Sequence, residues 1–266
     1  MRERFSRQSF LGMDSNQVLH KAKVAIVGLG GGGSHIVQQL AHLGVGNFLL
    51  IDPDVIEESN LNRLVGGRSK DVSSLRTKTF IAKRLIKGIN PTAKVLGFQK
   101  QWSEVAEHLR DRDVIFGCLD TFQGRWELEI TAKRYLIPYI DIGMDVHEEG
   151  GRFLITGQVI ASLPGQPCLK CLGFLTEELL AQEARRYGVA GSKPQVVWSN
   201  GILASFAVGL FVQLFTPWHE DHSPIAYLEY DGNNHTVRKS NRMWVLDLIH
   251  CNCFMDPQHL GDPFLR

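Results

Sequence analysis

Three glycines, Gly28, Gly30 and Gly33, stand in the spacing G-x-G-x-x-G within the run Gly28-Leu-Gly-Gly-Gly-Gly33. A turn without side chains lets a phosphate approach the backbone. The amides opening a following helix would face that anion with the positive end of the helix dipole. Asp52 lies roughly twenty residues beyond the turn, the separation at which a carboxylate accepts hydrogen bonds from ribose hydroxyls. This pattern points to a nucleotide and leaves NAD, FAD and ATP open. A polar stretch over residues 53–73 carries Asp54, Ser59, Asn60, Asn62, Arg63, Arg68 and Lys70. It is too long for an ordinary αβ turn, and such loops are usually functional or disordered. Lys78 falls in the first turns of the next expected helix, an unfavourable place for a cation unless an anion sits nearby. Two thiol pairs, Cys168-x-x-Cys171 and Cys251-x-Cys253, have the spacing of a tetrahedral structural zinc site, with two reduced pairs or a redox dithiol as the alternative.

Elements to position these residues are legible in the hydrophobic pattern. Apolar runs at 23–27, 47–51, 94–98, 113–117 and 138–142 read as buried strands, and helical periodicity fills the gaps at 34–43, 74–87, 103–110 and 121–135. A βα repeat of this kind predicts a Rossmann-like, doubly wound, mostly parallel sheet, in which ligands collect at the carboxyl ends of the strands. Asp52 and Asp120 both follow such ends and should face one crevice. A short helix at 14–21, capped by Asp14 or Ser15, precedes the repeat. From Gly150 the pattern turns β-rich without intervening helices, which predicts appended antiparallel strands, among them 224–230 and 242–246 around the polar turn 231–234. The apolar stretch 196–215 contains Ser199, Asn200, Ser205 and Gln213, so a core or subunit-interface helix is expected rather than a membrane span.

At 266 residues with 44% hydrophobic content, the chain has ample material for one large α/β domain. Its expected parts are an N-terminal arm (1–22), a nucleotide-binding half (23–145) and a substrate-binding and dimer half (146–266) stapled by the cysteines. A formal net charge of +1 argues against a broad nucleic-acid footprint. The N-terminal residues lack the apolar core of a signal peptide, so a cytosolic protein is expected.

Arg4-Phe-Ser-Arg-Gln8, the glycine loop, Asp52-x-Asp54, Ser59-Asn-Leu-Asn-Arg63, Lys78 with Ile89-Asn-Pro91 downstream, and Cys118-Leu-Asp120 together resemble the MoeB/ThiF/HesA family. This is the ubiquitin-activating superfamily of adenylating enzymes, and the resemblance covers nearly the whole chain. It implies a homodimer that binds Mg·ATP and adenylates the C-terminal glycine carboxylate of a ubiquitin-like or sulfur-carrier protein, releasing pyrophosphate. By the same resemblance Arg63 and Lys78 hold the phosphates, Asn60 supports those contacts, Asp52 takes the ribose and Asp120 the Mg²⁺. Gly28, Gly30, Gly33, Asp54 and Ser59 complete the nucleotide set, and Arg7 resembles an arginine supplied from the neighbouring subunit. Each has a plain rival: Arg63 and Arg68 as loop charges, Lys78 as a solvated helix residue, Asp120 as a helix cap.

The chemistry makes these residue types intelligible. A carboxylate attacking the α-phosphorus of ATP needs no general base, because it is already ionised near neutral pH. Two anions must be brought together, so cations, Mg²⁺ and positioning carry the catalysis. Superfamily members that hold the modifier as a thioester need a cysteine in the crossover after the sheet, and 173–194 has none. Cys118, the one cysteine left over, reads as a small buried side chain. Adenylation without a thioester on this enzyme is therefore expected. The second cysteine pair departs from the family's usual Cys-x-x-Cys, and His250 beside it leaves the fourth zinc ligand open. Alternatives are activation of a small-molecule, peptide or tRNA-nucleoside carboxylate, a nicotinamide-dependent oxidoreductase, and a non-catalytic scaffold. The oxidoreductase reading leaves Arg63, Lys78 and Asp120 unexplained.

Overall fold

A computed structural model of the chain describes residues 3–185, 194–219, 226–243, 251, 253 and 261. After α1 (Ser15–Lys21), β1 (Lys23–Val27) leads into α2 (Gly31–Leu43) and β2 (Asn47–Ile51). The chain continues through α3 (Ser69–Ser73) and α4 (Lys78–Ile89) to β3 (Lys94–Phe98), then β4 (Val114–Gly117), α5 (Phe122–Arg134) and β5 (Tyr139–Glu149). It finishes with β6 (Arg152–Ser162), α6 (Glu177–Arg185), α7 (Val197–Phe215), β7 (Ala226–Asp231) and β8 (Thr236–Lys239). The eight strands among the described residues form one sheet in the order β3-β2-β1-β4-β5-β6-β7-β8. The pairs from β3 to β5 are parallel and those from β5 to β8 antiparallel.

The parallel strands read as continuous apolar runs because both faces are covered. Ile26 pairs with Leu50 and Phe116 in register, and all three sides of that ladder are sealed from water. On one face Ile26, Leu50 and Phe116 meet Ile36 and Leu40 of α2 and Phe211 of α7. On the other, Ala25, Ile115 and Tyr139 meet Leu128 and Ala132 of α5. Between β1 and β4 the strand order reverses, which opens a crevice at the carboxyl ends of the strands, where ligands bind in such folds.

α7 is long and apolar enough to cross a membrane, yet Leu203, Ala204, Ala207, Val208 and Phe211 are buried in the core against α2 and the sheet. The core placement agrees with the sequence expectation. Its other face leaves Trp198 and Phe206 exposed, which is taken up below.

Several boundaries differ from expectation for local reasons. Neither Asp14 nor Ser15 caps α1 through its side chain; Ser15 Oγ instead donates to the Leu11 carbonyl at 2.6 Å. The 53–73 stretch is not a structureless loop, since it holds a 3₁₀ turn (Glu58–Asn60) and α3. α4 starts at Lys78 rather than 74, because Thr77 Oγ1 accepts from Phe80 N at 3.0 Å and ends the preceding turn. Leu75, expected inside that helix, is exposed with φ +49°. The helix expected over 103–110 is a 3₁₀ segment, Trp102–Leu109, broken at Val105. β5 runs to Glu149, seven residues past the expected end at 142, because β6 pairs with its full length. The last described strand is β8, not 242–246. Asp231 Oδ1 accepts from both Asn233 N and Asn234 N at 3.0 Å, so a tight turn returns the chain at Thr236. Asn241–Met243 form a 3₁₀ turn. The rest of 242–246, residues 224–225 and His250 lie outside the described residues.

Candidate active site

The crevice is a cleft of about 860 Å³ at the carboxyl ends of β1, β2, β4 and β5. Three glycines do three different jobs at its floor. Gly28 has φ +90°, and a β-carbon there would collide with the Cys118 carbonyl. A β-carbon on Gly33 would strike the Gly28 carbonyl, so this glycine permits close contact between helix and strand. At Gly30 the β-carbon direction is open, and Gly30 lines the cleft. It therefore leaves the backbone at the start of α2 open to the cleft.

Asp52 sits beside this loop, buried, with Oδ2 accepting from Leu29 N at 2.6 Å and Oδ1 from Asp54 N at 2.9 Å. Burial raises its pKa, opposed by the charge of Lys78 and those two amide bonds. Lys78 Nζ lies 2.6 Å from Asp54 Oδ2 and 3.9 Å from Asp52 Oδ1, in a side chain only 12% exposed. The first residue of α4 is thus an interior cation held between two carboxylates. Arg63 Nη1 donates to the Ser59 carbonyl at 2.6 Å and to Asn62 Oδ1 at 3.0 Å, and burial lowers its pKa without threatening its charge. Asn60 is buried and turns inward, its Oδ1 accepting from Glu57 N at 3.2 Å. Asp120 is exposed and makes no hydrogen bond or ion pair with any described residue.

The cleft brings together Gly28, Gly30, Asp52, Asp54, Asn60, Arg63, Lys78 and Asp120 of the expected set. Gly33 supports from beneath. Ser59 is not among the lining residues; its hydroxyl donates to Glu57 Oε2 at 3.3 Å and accepts from Asn60 Nδ2 at 3.4 Å. Arg7 is exposed on a 3₁₀ segment, Ser6–Leu11, and does not reach the cleft of its own chain.

Other lining residues escaped the sequence reading. Lys100 and Trp102 follow β3, and their place after a strand end was the signal available. Asn200 of α7 abuts the glycine loop, where a β-carbon on Gly31 would fall 2.6 Å from its Nδ2. Arg125, buried, pairs Nη1 with Asp141 Oδ2 at 2.9 Å, and Asp141 also accepts from Tyr139 Oη at 2.9 Å. With its amide oriented to suit both neighbours, Gln158 accepts from Arg125 Nη1 at 2.7 Å and donates to the Gly143 carbonyl at 3.1 Å. None of these had a local motif to betray it. Cys118 also lines the cleft, and burial pushes its thiol far above the range of a reactive thiolate.

Away from the cleft, the sulfurs of Cys168, Cys171, Cys251 and Cys253 all lie within 4.8 Å of one another. Cys171 Sγ is 3.6 Å from Cys168 Sγ and 3.7 Å from Cys253 Sγ. Metal–sulfur bonds of about 2.3 Å in a tetrahedron place sulfurs about 3.8 Å apart, so the cluster has the dimensions of a four-thiolate site. A hydrogen bond from Cys168 holds the Cys251 thiol down at about 5. The buried Glu129 accepts from Leu169 N at 3.0 and 3.2 Å, which fixes the backbone of the first pair.

The ThiF family profile matches residues 4–248. A SAMP-activating enzyme E1 of Haloferax volcanii is 30% identical over 175 residues, 64% of this chain and 61% of that protein. A molybdopterin-synthase adenylyltransferase of Escherichia coli is 30% identical over 180 residues, 66% of this chain and 69% of that protein. Among solved structures, E. coli MccB with ATP superposes with a TM-score of 0.73 over 90% of this chain and 71% of that one, at 22% identity, a likeness of fold. The match thus spans less than two thirds of the archaeal relative.

Proposed function

The chain belongs to the ThiF family, and on that premise we propose that it is an ATP-dependent adenylyltransferase acting on the C-terminal glycine carboxylate of a ubiquitin-like or sulfur-carrier protein. The observation that carries this reading is the joining, in one cleft, of a glycine loop, two cations and an unbonded carboxylate. Arg63 and Lys78 would neutralise the triphosphate, the start of α2 would receive a phosphate, and Asp52 would accept from the ribose. The Asp52–Leu29 and Asp52–Asp54 bonds fix that carboxylate in advance, so little reorganisation is needed on binding. Asp120 fits a Mg²⁺ ligand, being a hard, exposed carboxylate at the cleft with no competing partner among the described residues. When bound, the ion would offset charge on the triphosphate and the departing pyrophosphate. The acceptor carboxylate would attack the α-phosphorus, forming an acyl-phosphate bond as the bond to pyrophosphate breaks.

The state of Cys118 supports an adenylate that is not passed to that thiol, since burial raises its pKa and a protonated thiol is a poor nucleophile. The four-cysteine cluster fits a structural zinc without help from His250. A homodimer is supported by α7, whose outer face exposes Trp198 (52%) and Phe206 (40%). The exposed Phe10 packs edge-on against Trp218 beside this helix, 6.1 Å between centroids, which sets the Arg7 segment close to the same apolar surface. A second copy there would bury that surface and carry Arg7 toward a neighbouring cleft.

Exchange of labelled pyrophosphate into ATP tests the reading. Exchange should require Mg²⁺ and a small carrier protein ending in Gly-Gly, and should vanish when the carrier's last glycine is deleted. Exchange driven instead by a free peptide, an amino acid or a tRNA would overturn the assignment of the acceptor.

A further inference from the structure

The turn that presents Asp120 is tied down on every side except at Asp120 itself. Cys118 N donates to the Val27 carbonyl at 2.8 Å, extending the ladder between β1 and β4. At the start of α5 the amides of Phe122 and Gln123 donate to the Glu183 carboxylate of α6 at 3.0 and 2.9 Å. Between these ties, the Leu119 carbonyl accepts from Arg125 Nε at 2.9 Å. Arg125 is 7% exposed, and burying a guanidinium costs several kcal/mol unless its donors are met. Its Nε and Nη1 donors are met by three acceptors in fixed positions: Leu119 O for Nε, and Asp141 Oδ2 and the Gln158 amide oxygen for Nη1. A β-carbon on Gly143 would collide with the guanidinium, so the strand leaves room for it. A planar donor fork can join three acceptors on three elements, which a lysine cannot do.

We propose that Arg125 is the positioning residue for Asp120: by gripping the Leu119 carbonyl from a seat on Asp141 and Gln158, it aims the Asp120 carboxylate at the divalent cation. The inference rests on the reading of Asp120 as the Mg²⁺ ligand. Groups that orient a metal ligand typically affect metal affinity by about 10–100-fold. Losing Arg125 should therefore weaken the cation and leave the nucleotide's own contacts intact.

Mn²⁺ binding to the enzyme with a non-hydrolysable ATP analogue, followed by electron paramagnetic resonance, gives a readout separate from activity. Arg125→Met should raise the Mn²⁺ dissociation constant about tenfold or more. Affinity for the analogue in EDTA should stay within about twofold, and saturating Mg²⁺ should recover most of kcat. Arg125→Lys should recover part of the Mn²⁺ affinity, and this milder variant serves if the methionine variant does not fold. Asp120→Asn separates the two ideas. If it leaves Mn²⁺ affinity unchanged, the metal reading and the inference both fail. If it weakens Mn²⁺ while the Arg125 variants do not, the inference alone fails. Equal loss of cation and nucleotide affinity in Arg125→Lys would also overturn it.

Discussion

The two walls of the cleft are built by different means. The wall formed by the glycine loop and α4 draws on residues within one stretch of chain, and its lining charges are the cations Arg63 and Lys78 beside the carboxylates Asp52 and Asp54. Between residues 61 and 94 there are nine lysines and arginines against one aspartate. The opposite wall comes from β5, β6, α6 and α7, and over residues 141–185 seven acidic residues stand against three lysines and arginines. Its lining side chains include the neutral amides of Gln158, Gln182, Gln195 and Asn200. The contrast teaches a division of labour. Under the proposed function, one wall would hold a polyanion with its cations, and the other, lined by neutral amides together with Asp145, would offer hydrogen bonds to a second reactant.

The largest test of that division is at the seam. Asp120→Asn should reduce pyrophosphate exchange by about 10²–10³-fold, the scale for losing one electrostatic contact made to a transition state. A loss of less than about tenfold, measured in initial rates, would break the comparison.

Lys78→Met comes next, weakening ATP binding by about 10–100-fold, the equivalent of one charged hydrogen bond. It also carries a pH signature. Asp52 already has a raised pKa, and removing Lys78 takes away a charge that holds it down. If ionised Asp52 binds ribose, affinity falls as pH drops through that pKa. In the variant the falling limb should lie at higher pH than in the wild type, as titrated by ATP affinity across pH 4–8 (roughly the range of a shifted carboxylate).

The cysteine cluster lies behind the second wall, so stripping metal should alter stability more than nucleotide affinity. Chelation, or Cys171→Ser, should lower Tm while leaving ATP binding within about twofold, against the energy scale of structural zinc sites. Protein purified without added metal should carry one zinc per chain by elemental analysis. The smallest effect belongs to Gln182→Leu, whose amide lines the second wall. It should raise KM for the carrier about threefold to tenfold, one neutral hydrogen bond, and leave KM for ATP unchanged. An equal effect on both substrates would erase the distinction between walls.

How much of this was readable beforehand follows the same division. The strands at 23–27, 47–51, 94–98 and 113–117 were plain because parallel strands covered on both faces are unbroken apolar runs. The meeting of Gly28, Gly30, Asp52 and Asp120 at one cleft was plain because strand ends of a parallel sheet converge on one edge. Ser59 stands one bond behind the cleft, on Asn60, and the start of α4 was misread for want of weight on the Thr77 cap. Arg125, Gln158 and Asn200 carried no local signal at all.

Sequence by itself determined the nucleotide crevice, because a glycine turn after an apolar strand admits few other uses and the cations lie nearby in the chain. Tertiary structure alone decided which side chains line the opposite wall and what ties down the turn before Asp120. Those contacts join Leu119 to Arg125, Arg125 to Asp141, and β5 to β6. Residues brought together only by sheet pairing and helix packing leave no periodicity in the chain that encodes them.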